Sequence, residues 1–469
     1  MIATCFFVVA NLYALYQEFY WFMLLPALMA IVIAAFVSLD KVLMLAVFCT
    51  PFSVDLETAE ILGNLGLFLP TEPIFIGIML LFFMRQLYRW DYDPKILKHP
   101  VTLAIFAYLI WMFFTTITSE MFTVSIKHFT VRLWYITALY FFGVQVFRYR
   151  KNIRPFIWLY IISFTGIILY TLIHHSMYDF AHKPGHWVMS PFFNDHTSYG
   201  ASLAFYFPFL LVFLFDKKYN PTVRFIISLL ATLFVVAIIF SYTRAAWLSI
   251  AAAFGVLFIL FFKIKFSTIL ITLATVVLIF FSVKDQVIME LERNKQDSSD
   301  DLTEHVQSMS NITSDASNKE RLNRWNSALR MFEERPIVGW GPGTYQFQYA
   351  PFQHHSDKTI ITTNFGDGGN AHSEYLGPLA ESGVLGTLTY LLIVLVVFYK
   401  GVSLYKRLED KEMKLLLVGC LLGLVTYYVH GGLNNFLDTD KAAVPFWGFT
   451  AIIVAIDLYH SKSSLPKSE

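Results

Sequence analysis

The stretch "AHSEYLGPLAESGVLG" places His372, Glu374 and Glu381 just ahead of the apolar run Leu388–Tyr399. A titratable imidazole and two carboxylates thus stand where a chain is about to meet lipid. Neutral imidazole accepts a proton near physiological pH, and a helix N-terminus favours that neutral form. Gly368, Gly369 and Asn370 read as a turn, so His372 falls at or near a helix start and is a candidate general base. Glu374 and Glu381 fall on nearly one helical face. Glu374 either touches a polar substrate or caps the helix, and Glu381 either joins it or makes a structural hydrogen bond.

Candidate partners for that base are cationic. In "SYTRAAWLS" (241–249), Arg244 follows Tyr242 at the edge of an apolar run. An arginine at mid-membrane costs about 2.5–3.5 kcal/mol on insertion scales, and less near the interface. It either snorkels to head groups or turns its planar fork on phosphate oxygens. Arg321 and Arg324 flank Trp325 in "RLNRWNSALRMFEERPIVGWGPGTY" and share one helical face. They form either a solvated rim or, with Arg244, a cage around a diphosphate. Asn194 and His196, in "FFNDHTSYGASLAF", are candidates to contact polar substrate, as is Tyr242. His430, Asn434 and Asp438 join the same surface from "HGGLNNFLDTDK". The histidines His174, His175, His182, His186, His354 and His355 match no zinc spacing, so no metal and no other cofactor is expected.

The elements that must position these groups are membrane helices. Hydrophobic residues make up 56% of the 469, aromatic ones 17% and charged ones only 15%, with a mean hydropathy of +0.56. Soluble domains carry about 25% charge, so the chain reads as an all-α, polytopic integral membrane bundle. At roughly 20 residues per crossing, with shorter ones allowed in bundles, about 12–14 spans are expected. They fall near 3–16, 20–38, 41–52, 72–88, 101–117, 130–147, 154–174, 197–215, 222–240, 243–262, 266–283, 376–399, 413–431 and 442–459. The first three are closely spaced, and "FCTPF" suits the end of a short or re-entrant segment. The N-terminus lacks a basic n-region and a cleavage site, so the first apolar run reads as a retained span. The three cysteines lie in apolar runs and imply no disulfide framework. A net charge of +1 gives no reason to expect nucleic acid.

Lys/Arg-rich loops mark the cytoplasmic side. Residues 85–98, 148–154, 216–224, 263–265 and 400–414 are basic and fall on one side when the spans are counted through. Both termini are then cytoplasmic, and 284–373 forms one large extracytoplasmic loop with short helices. This divides the chain into an N-terminal bundle (1–283), the loop (284–373) and C-terminal helices with a cytoplasmic tail (374–469). The first part of the loop is polar. In the second part Leu322, Trp325, Leu329 and Phe332 recur at helical spacing and predict an apolar stripe that packs down. Pro336 should end that helix, and Gly339, Gly341 and Gly343 should form a tight turn.

With these residues in order, the chain resembles the O-antigen ligase and O-antigen polymerase superfamily of bacterial envelope proteins. The resemblance spans roughly residues 190–440 and rests on the stretches around Asn194 and His196, Arg244, Arg321 with Arg324, and His372. It implies an inner-membrane glycosyltransferase that moves a glycan from an undecaprenyl-diphosphate carrier to an acceptor hydroxyl on the periplasmic face, with inversion and without a metal. The acceptor would be lipid A–core for a ligase, the favoured alternative, or another lipid-linked glycan for a polymerase. By position Arg244 matches the family's membrane arginine, Arg321 or Arg324 its loop arginine, and His372 its essential histidine. A rival of a different class is a lipid-linked glycan transporter. It would line a central cavity and often carries internal repeats, which the sequence lacks.

Overall fold

The computed structural model describes residues 38–55, 67–264, 316–355 and 369–461, with residues 7, 10–13, 16–17, 358 and 362. Ten of its helices are long and apolar enough to cross a membrane, so the chain is a multi-pass, all-α membrane bundle. A short helix α1 (Leu39–Cys49) comes first. The spans follow as α2 (Thr71–Arg89), α3 (Pro100–Ile117), α4 (Phe122–Phe147), α5 (Ile153–Ser176), α6 (His196–Leu214), α7 (Pro221–Phe240) and α8 (Arg244–Phe261). Loop helix α9 (Ala316–Glu334) precedes the last three spans, α10 (Leu376–Arg407), α11 (Lys411–His430) and α12 (Asp440–Ala455).

Each of the ten coincides with an expected span. The expected span at 41–52 is instead the 11-residue α1, which runs into a turn at Thr50–Phe52. At 1.5 Å per residue it reaches about half of a 30 Å hydrocarbon layer. Two short strands then pair antiparallel, Val54–Asp55 with Phe68–Leu69, Val54 standing opposite Leu69. The expected span at 266–283, and most of those at 3–16 and 20–38, lie outside the described residues.

Burial orders the bundle. The apolar windows of α11 and α12 are 83% buried and that of α6 78%, against 28% for α7 and α8. The first three form the centre, while α7 and α8 turn Phe225, Leu229, Phe254 and Phe258 outward. In lipid an outward apolar face costs nothing, because helices gain by packing rather than by hiding apolar surface.

The two ends are fastened differently. At one, the basic loops meet acidic partners. Arg150 bonds Asp410 at 2.6 Å and Glu412 at 2.7 Å. Arg154 bonds Asp216 and Glu412, and Arg407 pairs with Asp457. At the other end, Asp440 Oδ2 accepts from Ser53 and Thr71 at 2.5 and 2.6 Å, and Lys441 Nζ donates to the Ser53 carbonyl at 3.0 Å. Every candidate site residue lies toward this second end.

Loop helix α9 corrects the expected stripe. Leu322 and Leu329 are exposed and Trp325 and Phe332 half-buried, while Glu320, Asn323, Arg324, Ser327, Ala328 and Met331 are buried. The helix packs its polar side inward and leaves apolar residues outward, the reverse of a soluble amphipathic helix. It ends at Glu334, just before Pro336.

The run into α10 is not one continuous helix. Gly383 breaks it with φ +68°. The carbonyls of Ala380 and Glu381, which a continuous helix would pair with residues four further on, instead accept from Trp340 and Gly341 at 3.1 and 2.7 Å. Val384 N–H donates to the Pro336 carbonyl at 2.9 Å. The glycine turn, with Gly339, Gly341 and Gly343 all at positive φ, thus satisfies the backbone that the break exposes. A Cβ on Gly383 would stand 2.1 Å from the Ile337 carbonyl oxygen. Gly383→Ala should therefore lose about 2 kcal/mol or more of stability from left-handed strain plus that clash, read as a lower melting point of the purified protein. An unchanged melting point would refute the interlock.

Candidate functional site

His372 stands ahead of α10, four residues from its first turn, in a left-handed backbone conformation with φ +47°. Its N–H donates to Asn370 Oδ1 at 3.0 Å, and the Trp325 indole reaches its carbonyl at 3.5 Å. A non-glycine residue in this conformation is held there by its surroundings, and such positions cluster at functional sites. Burial, and then the positive charges of Arg321 and Arg324, push the His372 imidazole down to about 4. The neutral ring expected from the sequence therefore has a different cause. Burial comes first and the two arginines of the loop helix second, while the helix after it begins only at Leu376.

The two arginines divide their work. Arg324 is buried, donates to Glu320 Oε1 at 2.6 Å and lies 4.2 Å over the Tyr349 ring. Gly369 passes so close that a Cβ there would sit 1.4 Å from a guanidinium nitrogen, which demands glycine. Thr362 holds the other oxygen of Glu320 at 2.5 Å. Arg324 is thereby clamped on three sides. Arg321 is half-buried and acts electrostatically on His372, His196 and His430 together.

Arg244 follows a residue that is fastened to this end of the bundle. It opens α8, and Thr243 just before it donates to the His196 carbonyl at 2.8 Å. The His196 ring stacks on His186 at 4.1 Å. Asp195 caps α6 by accepting from Ser198 N–H at 2.7 Å, and its charge reaches His372, His196 and His430. Thr243 thus ties the start of α8 to the start of α6, and Arg321 acts on both His196 and His372. Tyr242 is a fastener: its hydroxyl donates to the Phe180 carbonyl at 2.9 Å, and its ring packs on His182 at 4.7 Å.

The carboxylates do not share a helical face. Glu374 precedes the helix, and its Oε1 accepts from Tyr427 Oη, Phe436 N–H and Leu437 N–H at 2.5, 2.8 and 2.8 Å. That oxygen is spent on holding the 431–437 loop. Burial raises the carboxyl above its usual range. Glu381 accepts from Tyr345 N–H at 3.1 Å and so locks the glycine turn. Among the described residues, no three His, Cys, Asp or Glu side chains are arranged to hold a metal.

Beside His372 opens a cavity of about 430 Å³. Asn370, Ala371, Ser373 and Glu374 line it, as do Asn194, Asp195 and Asp438. Arg132 of α4 also lines it, and sequence reasoning passed over this residue. The available signal was its charge within an expected span, itself a marker of function. His430 and Asn434, expected at this surface, bond each other at 3.2 Å.

Residues 228–391 match the family model described as O-antigen ligase. The match takes in α8, α9, Arg244, Arg321, Arg324 and His372, and supports the O-antigen ligase and polymerase superfamily. It supports a glycosyltransferase-like function, with a lipid-linked glycan and an acceptor as substrates in the membrane. No curated protein matches the chain.

Proposed function

From the similarity of residues 228–391 to O-antigen ligases, we propose that this chain is a bacterial inner-membrane glycosyltransferase. It moves a glycan from undecaprenyl diphosphate to an acceptor hydroxyl at the periplasmic face, with lipid A–core as the acceptor and both termini in the cytoplasm. The observation that supports this most is the unprotonated His372 ring held beside two loop arginines, on the side of the bundle where Arg244 begins α8.

His372 takes the proton of the acceptor hydroxyl as its oxygen attacks the anomeric carbon. The bond from that carbon to the bridging oxygen of the diphosphate breaks, and the electron pair leaves with undecaprenyl diphosphate. Attack opposite the leaving group inverts the anomeric centre. Arg244 and Arg321 meet the charge that grows on the diphosphate, while Arg324 holds the loop that carries Arg321. Asn194 and His196 face the polar portion of the substrate. Guanidinium groups supply the electrostatic stabilisation for which many soluble glycosyltransferases use a divalent cation.

Two experiments follow. EDTA should leave transfer by the purified protein unchanged, and strong inhibition reversed by a divalent cation would refute the arginine assignment. Lipopolysaccharide from a deletion strain should lose all banding above the core, with long lipid-linked chains accumulating. A single repeat unit left on the core would instead make the protein a polymerase.

A further inference from the structure

Arg132 is a buried cation with more donors than partners. Its side chain is 7% exposed, and the ion pair it makes among the described residues is a long one, Nη2 to Glu374 Oε2 at 4.0 Å. Its Nε and Nη1 have no hydrogen-bond partner among the described residues. A buried guanidinium left in this state is costly, because each unmet donor forfeits its hydration. The cost is recovered when something else accepts from it, and Arg132 lines the 430 Å³ cavity beside His372. That volume falls in the usual range of small-molecule sites, about 300–1,000 Å³.

The lining indicates the occupant. Acceptors face the donors of Arg132: Asn435 Oδ1 is buried without a partner among the described residues, and the exposed Asp438 carboxylate stands at the rim. Tyr108, Trp111 and Phe436 supply aromatic surface. Donor, acceptor and ring together suit a molecule that carries adjacent hydroxyls on an apolar frame. Charge narrows the class. Asp55, Glu72, Asp195, Glu374, Glu381 and Asp438 line the cavity against only Lys127, Arg132 and Lys441. Glu72, Glu374 and Glu381 already accept protein hydrogen bonds, and the three aspartates leave the lining no cationic surplus to attract an anionic occupant.

His372, Arg244, Arg321 and Arg324 do not line the cavity, whereas Ala371 and Ser373 on either side of His372 do, so the cavity adjoins the base and is set apart from the arginines proposed to hold the diphosphate. In a displacement with inversion, nucleophile and leaving group occupy opposite sides of the anomeric carbon. We infer that the Arg132 cavity is a subsite for an uncharged saccharide of the acceptor, with Arg132 as its hydrogen-bond donor and Asn435 and Asp438 as its acceptors. This rests on the proposed transferase function only in assigning the sugar to the acceptor; the binding itself does not require catalysis.

The test uses the full-length protein in nanodiscs and saturation-transfer NMR. The probes are the methyl glycosides of glucose, galactose and N-acetylglucosamine, each beside the corresponding uronic acid where one exists. At least one neutral glycoside should bind and the uronic acids should not. Arg132→Gln and, separately, Asp438→Asn should each weaken that binding tenfold or more. Asp438 is exposed, so its variant should fold where the Arg132 variant fails to, which a melting curve of each checks. The inference is overturned if no neutral glycoside binds, if uronic acids bind as well or better, or if Asp438→Asn binds like the parent. Saccharide binding by a protein that transfers nothing would uphold the subsite and sink the transferase reading. Transfer without such binding would do the reverse.

Discussion

His372→Ala should transfer glycan 10²–10⁴-fold more slowly than the parent protein at equal abundance in the membrane, the range typical for loss of a positioned base. The imidazole lies outside the tightly packed spans, and its backbone is fixed by Asn370 and Trp325 rather than by the ring. Removing the ring should therefore spare the fold and cost only chemistry. The same base makes a pH prediction. With its folded value near 4 instead of the ordinary 6.5, the ring is neutral above pH 4 and gains a proton only as pH falls through that value. Initial rates should stay level from pH 7 to about 5 and then decline. A decline centred on 6.5 would mean that burial and the arginines do not act on this ring.

Arg321→Ala should cost about 10²–10³-fold in turnover, the loss seen when one preorganised charge partner of a transition state is removed. Arg321→Lys should recover little, because an ammonium lacks the planar fork that grips two phosphate oxygens. Arg324→Ala should behave differently. Its guanidinium is bound to Glu320 and stacked on Tyr349, so its loss should show first as a lower melting point. Arg244→Ala should resemble Arg321→Ala in rate, and the double variant should fall short of the product of the two losses, since both would act on one diphosphate. Transfer by Arg321→Ala at the parent rate would remove it from the mechanism.

The bundle was legible because lipid imposes a simple rule: a crossing needs a long apolar run, and such runs announce themselves. Hence α5 and α7 stand where hydropathy alone put them. Elements that obey other constraints were harder to read. The short α1 carries the composition of a span without its length. The stripe of α9 misled because apolar residues at a membrane surface can face outward, whereas Arg324 and Glu320 pay for their burial by pairing with each other. The break at Gly383 was hidden in a sequence that reads as continuous helix, since only its tertiary partner, the turn at 339–343, makes the break favourable. At the site, residue types singled out His372 and the arginines, but Glu374 and Glu381 turned out to hold loops. Arg132 was missed because its significance lies in the cavity it faces, which no local spacing encodes.

The most direct measurement is a cryo-electron microscopy map of the protein in nanodiscs with undecaprenyl diphosphate bound. The account predicts diphosphate density gripped between the guanidinium groups of Arg244 and Arg321, with the His372 ring across the space where the anomeric carbon would lie. Diphosphate bound elsewhere, or Arg244 turned toward acyl chains while the lipid is held without it, would contradict it.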